Sequence, residues 1–308
     1  MVTCFSFKTC NYLFMNLNPA QVAFIGVDIG GSHITASYVS ADHNNIISDT
    51  KVRAKVDAHA DAQSIIDCWS DVLTSLYRPH IYKDTKIGIA MPGPFDYQAG
   101  ISLIKDMNKY ESLYGLNVRN MLASRIGIQA ENIMFRNDAE AFLHGEVAVA
   151  AFNDQVKTIG ITLGTGLGSA VNYNGVTSDV FRAITPMHEG IAEDYISTRW
   201  FLKKYNQLTG LKVANVEELL GVEDLSVINL IFSEFAQNLG RFLNDFSQQE
   251  NADVIVIGGN IARCLNVFKQ EMTSYIEKPD ILIRQTVLWE DAALVGAACS
   301  CGDNQFAS

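Results

Sequence analysis

Four short stretches hold residues whose types and order can do chemistry. In the first, an apolar run from Val22 ends in Asp28, and Gly30, Gly31 and Ser32 precede a second alternating run, His33–Ser40. A turn uses glycine for backbone freedom, but it has no need of a carboxylate at the end of an apolar strand. The second stretch, Gly164-Thr165-Gly166-Leu167-Gly168, again lies between an apolar run and an alternating one. Two such turns can offer backbone N–H groups to a polyphosphate, and Ser32 and Thr165 add hydroxyl donors. Asp28 is then placed to hold Mg²⁺, directly or through its water shell, because that ion keeps most of its waters. In the third stretch, Gly258-Gly259-Asn260 follows an apolar strand and opens a helix. There a nucleotide's base and sugar can lie against bare backbone, with the helix N-terminus near its phosphates. The fourth is Asn137-Asp138, at the end of a strand and the start of a helix. Asn137 with Glu140 has the spacing of a capping box, and Asp138 lies at the positive end of the helix dipole.

The elements that must position these residues follow from periodicity. Val22–Asp28 and His33–Ser40 read as a buried strand and its hairpin partner, and Asn44-Asn45 turns into a third strand, Ile46–Ala54. Helical spacing covers Asp61–Tyr77, with Ile65, Ile66, Trp69, Val72, Leu73 and Leu76 on one face. Thr85–Ala90 is a short strand cut by Pro92-Gly93-Pro94, and a helix from Asn117 closes on Gly127. Glu131–Ala151 reads as strand then helix. Lys157–Gly175 repeats the opening unit about 135 residues on: apolar strand, glycine turn, alternating strand. Ile191–Gly221 reads as helical and Ser226–Gln248 as a long amphipathic helix. Strands follow at Ala252–Ile257 and Asp280–Leu288. Glu290–Ser300 is a small-residue helix suited to close packing.

Neither of the first two glycine turns is a dinucleotide fingerprint. That motif joins a strand to a helix, and both turns here lead into a strand.

Bulk composition narrows the function classes. The 308 residues are 48% hydrophobic with a net charge of −11. An acidic chain repels nucleic-acid backbones, so no nucleic-acid partner is expected. No run approaches the ~18 apolar residues of a membrane span, so no membrane partner is expected either. The six cysteines, Cys4, Cys10, Cys68, Cys264, Cys299 and Cys301, form no C-x₂-C pair. They read as reduced thiols in a cytoplasmic protein. Residues 1–20 lack the clean apolar core and cleavage site of a signal peptide, and read as a disordered extension or as sequence upstream of a start at Met15.

Taken together and in order, Asp28-x-Gly30-Gly31-Ser32, Gly164-Thr165-Gly166-x-Gly168 and Gly258-Gly259-Asn260, with "GIAMPGPFD" and "RNDAEAFLHGE" between the first two, resemble the sugar kinases of the ROK family (repressor, open reading frame, kinase). The resemblance covers about Val22–Ala298. It implies an α/β, two-domain actin-like ATPase (ribonuclease H-like) fold with an interdomain cleft. The domains would be residues 21–136 with 290–302, and 137–289. The ligands implied are ATP, Mg²⁺ and a hexose, and the assembly implied is a homodimer.

By the same resemblance Asp138 is the general base that takes the proton of a sugar hydroxyl, and Asn137 binds that sugar. Gly93 belongs to the family's Pro-Gly turn near the sugar, and Asn108 stands in a loop that lines it. Many family members carry Gly-Glu-x-Gly-His and then a zinc loop, Cys-x-Cys-Gly-x-x-Gly-Cys. Here the stretch reads "FRAITPMHEGIAEDYIS", so no structural zinc is expected. Glu193 matches the glutamate after that loop, and His188 is the nearest candidate for the missing histidine. Glucose is the leading substrate, with N-acetylated hexosamines and fructose open.

Two other readings stand beside this one. A non-catalytic sugar sensor of the same fold would share the loops. A repressor would need a DNA-binding domain ahead of the first glycine turn, where 21 residues precede Val22. Other actin-fold ATPases run longer, and Asn137-Asp138 with the Pro-Gly-Pro turn argues against them.

Overall fold

The structure is a computed structural model, and it describes residues 22–40, 45–77, 85–150, 152 and 154–302. The reading of residues 1–20 as an extension therefore lies outside the described residues, as do Cys4, Cys10 and Asn44. The chain divides into two compact units, residues 1–141 with 293–308, and residues 142–292. Both boundaries fall inside helices, Asp138–Ala150 and Asp291–Cys299. Among the described residues no helix is long and apolar enough to cross a membrane.

The first unit is built on five strands: β1 (Val22–Ile29), β2 (His33–Ser40), β3 (Val52–Lys55), β4 (Lys86–Met91) and β5 (Ile133–Asn137). Their order is β3-β2-β1-β4-β5. The first three form an antiparallel meander, and β4 and β5 run parallel to β1. The second unit repeats the plan with β6 (Thr158–Leu163), β7 (Leu167–Tyr173), β8 (Val176–Asp179), β9 (Val254–Gly258) and β10 (Leu282–Gln285), in the order β8-β7-β6-β9-β10. Its meander is likewise antiparallel and its last two strands parallel. The internal repeat seen in the sequence is thus a repeat of strand topology.

Each sheet buries an apolar face. In the first unit Ile25, Val27, Ile87 and Ile89 pack with Trp69 and Leu73 of the helix Ala62–Leu76. That helix starts at Asp61, whose side chain accepts from Ser64 N. The helix Val118–Ile126 closes on Gly127, at φ 79°. In the second unit Ile159, Ile161, Ile255 and Ile257 pack with Phe235, Leu239 and Leu243 of the long helix Leu225–Glu250. The small-residue helix Asp291–Cys299 packs where Gly26 and Gly88 leave room. A Cβ on either would overlap the carbonyl of Leu294 or Ala297.

Four expectations need correction, the simplest being the strand Asp280–Leu288, which pairs over Leu282–Gln285 alone. The third strand does not begin at Ile46. Ile46 makes only an isolated bridge to Val39, Asp49 turns at φ 63°, and pairing with β2 starts at Val52. The Thr50 hydroxyl, bonded to Ser37 Oγ (2.7 Å) and Ile47 O (2.8 Å), supports this detour in place of a ladder. The helical reading of Ile191–Gly221 breaks into Ala192–Tyr195, Thr198–Thr209 and Val216–Leu220, because Gly210 ends the second piece in the left-handed region. The helix after Gly259 begins as a 3₁₀ segment, Asn260–Cys264, before the α-helix Leu265–Thr273.

Candidate active site

In both sheets the residues of interest lie at the carboxyl ends of the parallel strands, where open α/β sheets bind ligands. In the first unit the register pairs Asp28 with Ala90 and Met91 with Asn137. Asp28 and Asn137 therefore sit two strands apart on one edge, roughly 10 Å by the usual strand spacing.

Asn137 is buried, and its amide is oriented by its bonds. Oδ1 accepts from Ala139 N (2.8 Å) and Glu140 N (3.2 Å), capping the helix Asp138–Ala150 as the spacing predicted. Nδ2 donates to the Tyr97 hydroxyl at 3.2 Å. Asp138, the next residue, is open to solvent. Its Oδ1 accepts from Ala139 N at 2.9 Å, and no side chain among the described residues donates to the carboxylate. The protein packed around this accessible group raises its pKa above the ordinary carboxylate value. The Ala139 amide and the charge of Lys109 pull the other way. The result is a carboxylate that a small molecule can reach and whose proton affinity is enhanced.

Gly93 faces the Asn137–Tyr97 pair: a Cβ there would stand 3.2 Å from the Tyr97 hydroxyl and 4.0 Å from Asn137 Nδ2. Asn108 is an exposed turn residue at φ 56°, and its N–H donates to Glu111 at 2.8 Å. Its neighbour Lys109, which the sequence reading passed over, is the one whose charge reaches Asp138.

The first glycine loop closes through Gly30 N to His33 O at 2.9 Å. Ser32 Oγ lies 2.8 Å from His33 Nδ1. The loop is also held from a distance. Tyr110, buried against Trp69 at 5.2 Å, donates its hydroxyl to the Gly30 carbonyl at 2.5 Å. Burial pushes the Tyr110 phenol well above its ordinary pKa, and nearby Cys68 and Asp28 add to the shift. No local pattern signals Tyr110, which reaches Gly30 across 80 residues. Gly30 and Gly31 are not in the left-handed region, and a Cβ on Gly31 would meet nothing within 4 Å.

The second loop is held more closely. Gly164 N donates to Gly166 O at 3.0 Å, and Thr198 N donates to Gly164 O at 2.8 Å. Glu193 Oε2 accepts from Leu167 N at 2.9 Å, while Oε1 pairs with Arg199. A Cβ on Gly166 would overlap the Glu193 carboxylate. Glu193 thus lies against the loop with both oxygens engaged. His188 lies in the turn of the ribbon Pro186–Met187/Gly190–Ile191, with Nε2 2.9 Å from Asn238 Oδ1 and its ring edge-on to Tyr195.

Gly258 and Gly259 complete the second edge. A Cβ on Gly258 would strike the Phe142 ring, and one on Gly259, at φ 84°, would strike the Leu163 backbone. Beside these loops opens a cavity of about 690 Å³, lined by Thr165, Thr198, Asn215, Glu217, Asn260 and Arg263 among others. That volume suits a nucleotide-sized ligand. Arg263 stacks over Trp289 at 4.7 Å.

A family model described as the ROK family matches residues 24–179, half of the chain. The chain belongs to the ROK family. Over 90% of its length it is 24% identical to a glucokinase of Thermotoga maritima, 96% of which is covered. A ROK family glucokinase from Streptomyces griseus, solved in complex with glucose and AMPPNP, superposes with a TM-score of 0.70 at 22% identity, covering 90% of this chain and 98% of that one. A ROK family transcriptional regulator, a homologue of the E. coli MLC protein, superposes at 0.73 with 15% identity, covering 92% and 79%. The family resemblance read from the glycine loops and the expected actin-like ATPase fold both hold. The family's fold carries kinases and regulators alike, so membership alone does not assign an activity to this ROK protein.

Proposed function

We propose that this protein is an ATP-dependent hexose kinase in which Asp138 is the general base. The observation that carries the reading is the Asp138 carboxylate: accessible, raised in pKa, fixed at a helix N-terminus, and adjacent to an oriented amide. A positioned acceptor of this kind takes the proton of a sugar hydroxyl as its oxygen attacks the γ-phosphorus. The P–O bond to the β-phosphate breaks, and ADP leaves with that electron pair. Asn137 is the sugar-hydroxyl ligand, with Gly93 beside it and Asn108 in the same unit.

The glycine loops take the phosphates. Gly30 and Gly31 need neither a left-handed φ nor space for a protein neighbour. Their bare backbone leaves room for close approach by a ligand. Ser32 and Thr165 supply hydroxyls. Gly164, Gly166, Gly258, Gly259 and Asn260 flank the cavity that receives the nucleoside. Among the described residues no cluster of three acidic, His or Cys side chains could cage a metal. The donor set fits Mg²⁺ carried mainly by ATP phosphates and water, with Asp28 as the protein's carboxylate. Bound there, the ion would neutralise charge on the phosphates.

Glucose leads the substrate list, supported by the name of the Thermotoga relative; an N-acetylhexosamine or fructose remains an alternative. Homodimeric, cytoplasmic assembly belongs to the same reading, and size-exclusion chromatography with light scattering tests the dimer. One observation favours a second reading. Glu193 and His188, the carried-over sugar ligands of the second unit, are hydrogen-bonded to protein groups. That suits a sugar sensor, or a kinase for a different sugar.

The test is ATP turnover with Mg²⁺ against glucose, N-acetylglucosamine, N-acetylmannosamine, mannose and fructose, with Asp138→Ala alongside. Sugar-dependent ADP release that the variant loses establishes the kinase. Sugar binding without turnover in the wild type establishes the sensor.

A further inference from the structure

Tyr97 was not singled out by any motif, yet it joins the ends of two adjacent strands. Its hydroxyl donates to Met91 O at 3.0 Å and accepts from Asn137 Nδ2 at 3.2 Å. Met91 and Asn137 are register partners at the carboxyl ends of β4 and β5. The tyrosine backbone is itself fixed: Arg119 donates to Tyr97 O at 3.0 Å and to Gln98 O at 2.7 Å. Its ring packs on Phe95 at 5.3 Å, which packs on Phe135 at 4.9 Å. Gly93 explains itself in the same cluster, because any side chain there would crowd the hydroxyl.

A primary amide has one acceptor oxygen and two N–H hydrogens. In Asn137 the oxygen is occupied by two backbone amides and one hydrogen by Tyr97. The cap sets which end of the amide is oxygen, and Tyr97 sets the plane in which the second hydrogen points. That hydrogen is the group Asn137 can offer to a sugar hydroxyl.

We infer that Tyr97 is a positioning residue of the acceptor site: its hydroxyl orients Asn137 so that the second Nδ2 hydrogen engages the sugar. This rests on the kinase reading above, in which Asn137 is a sugar ligand. A hydroxyl-to-amide bond of ordinary net strength corresponds to roughly a 3- to 10-fold effect on affinity.

The experiment is a double-mutant cycle of Tyr97→Phe and Asn137→Ser, measuring KM for each panel sugar and for ATP, with melting temperature as the check on folding. Phenylalanine keeps the ring packing, and serine keeps an N-cap oxygen. The expected result is a sugar KM raised roughly 3- to 10-fold in Tyr97→Phe with ATP KM within about twofold, and no further rise when Tyr97→Phe is added to Asn137→Ser. The Asn137 side-chain amide resonance should also shift in Tyr97→Phe. An unchanged sugar KM, or the same factor lost in both backgrounds, overturns the Tyr97 role alone. A wild type that turns over no sugar in the panel overturns it together with the kinase reading.

Discussion

The two glycine hairpins occupy the same place in two sheets of the same strand order, yet different groups hold them. The first is tethered by main-chain carbonyls, Gly30 O to a buried tyrosine from a distant loop and Ser32 O to the Val56 amide at 2.9 Å, and its Gly31 faces open space. The second is gripped by Glu193, whose oxygens bond the loop amide and Arg199, and its Gly166 is glycine because that carboxylate fills the space a Cβ would need. The carboxylates beside the two edges differ in the same sense. Asp138 is open and receives no side-chain donor among the described residues, whereas Glu193 is satisfied. Duplicated topology sets where a loop can lie. What then packs against it differs between the two, and at Gly166 it is a carboxylate of the protein itself.

The sharpest way to break this contrast is to exchange the carboxylates for amides. Asp138→Asn should lower kcat by roughly 10²–10⁴-fold while sugar binding survives. Glu193→Gln should leave kcat within about tenfold and act instead on stability, since one charge-assisted bond of its pair weakens. Sugar-dependent initial rates and thermal melts of both variants measure it. Equal losses of kcat would erase the distinction.

Proton linkage sharpens it further. The Asp138 pKa is raised in the folded protein, so the unfolded chain releases this proton at lower pH than the native one. Stability from this group is present below the unfolded value and lost as pH rises through the folded one. Asp138→Asn should therefore melt no lower than wild type at pH 7. The proposed mechanism needs Asp138 ionised, so under it kcat/KM should fall on the acid side with an apparent pKa above the ordinary carboxylate value. A pH–rate profile reads this directly.

The glycines give the next effect. Gly166→Ala drives a methyl into the Glu193 carboxylate, and losing its bond to Leu167 should destabilise by about 1–3 kcal/mol in urea titrations. Gly31→Ala has room, so it should change stability by less than ~0.5 kcal/mol while raising ATP KM. Tyr110→Phe should cost about 1 kcal/mol in the same titrations, because the ring contact with Trp69 remains.

Much of this was legible in the residues, and what was not has a common cause. The hairpins, the apolar strands and the Asn137 cap are local patterns, readable from period and spacing. Tyr110, Tyr97 and Glu146 act through contacts that no local pattern carries. Glu146, on the helix Asp138–Ala150, is buried and accepts from Val287 N (2.9 Å), Leu288 N (2.8 Å) and the Thr286 hydroxyl, shaping the turn that ends β10 early. The expected strand Asp280–Leu288 shrank to Leu282–Gln285 for that reason. The side-chain partners of Glu193 were equally hidden: its motif position was readable, but not the loop amide it would bond.

The helix Asp291–Cys299 has a consequence in time. It seats on Gly26 and Gly88 of the first unit, yet the ribosome makes it about 150 residues after that unit's last sheet strand. At ordinary rates of synthesis the first sheet waits on the order of ten seconds with the ground over Gly26 and Gly88 uncovered. The second unit, residues 142–292, is contiguous and can complete itself first. Folding on the ribosome should therefore run against the direction of the chain, with the amino-terminal unit the last to close.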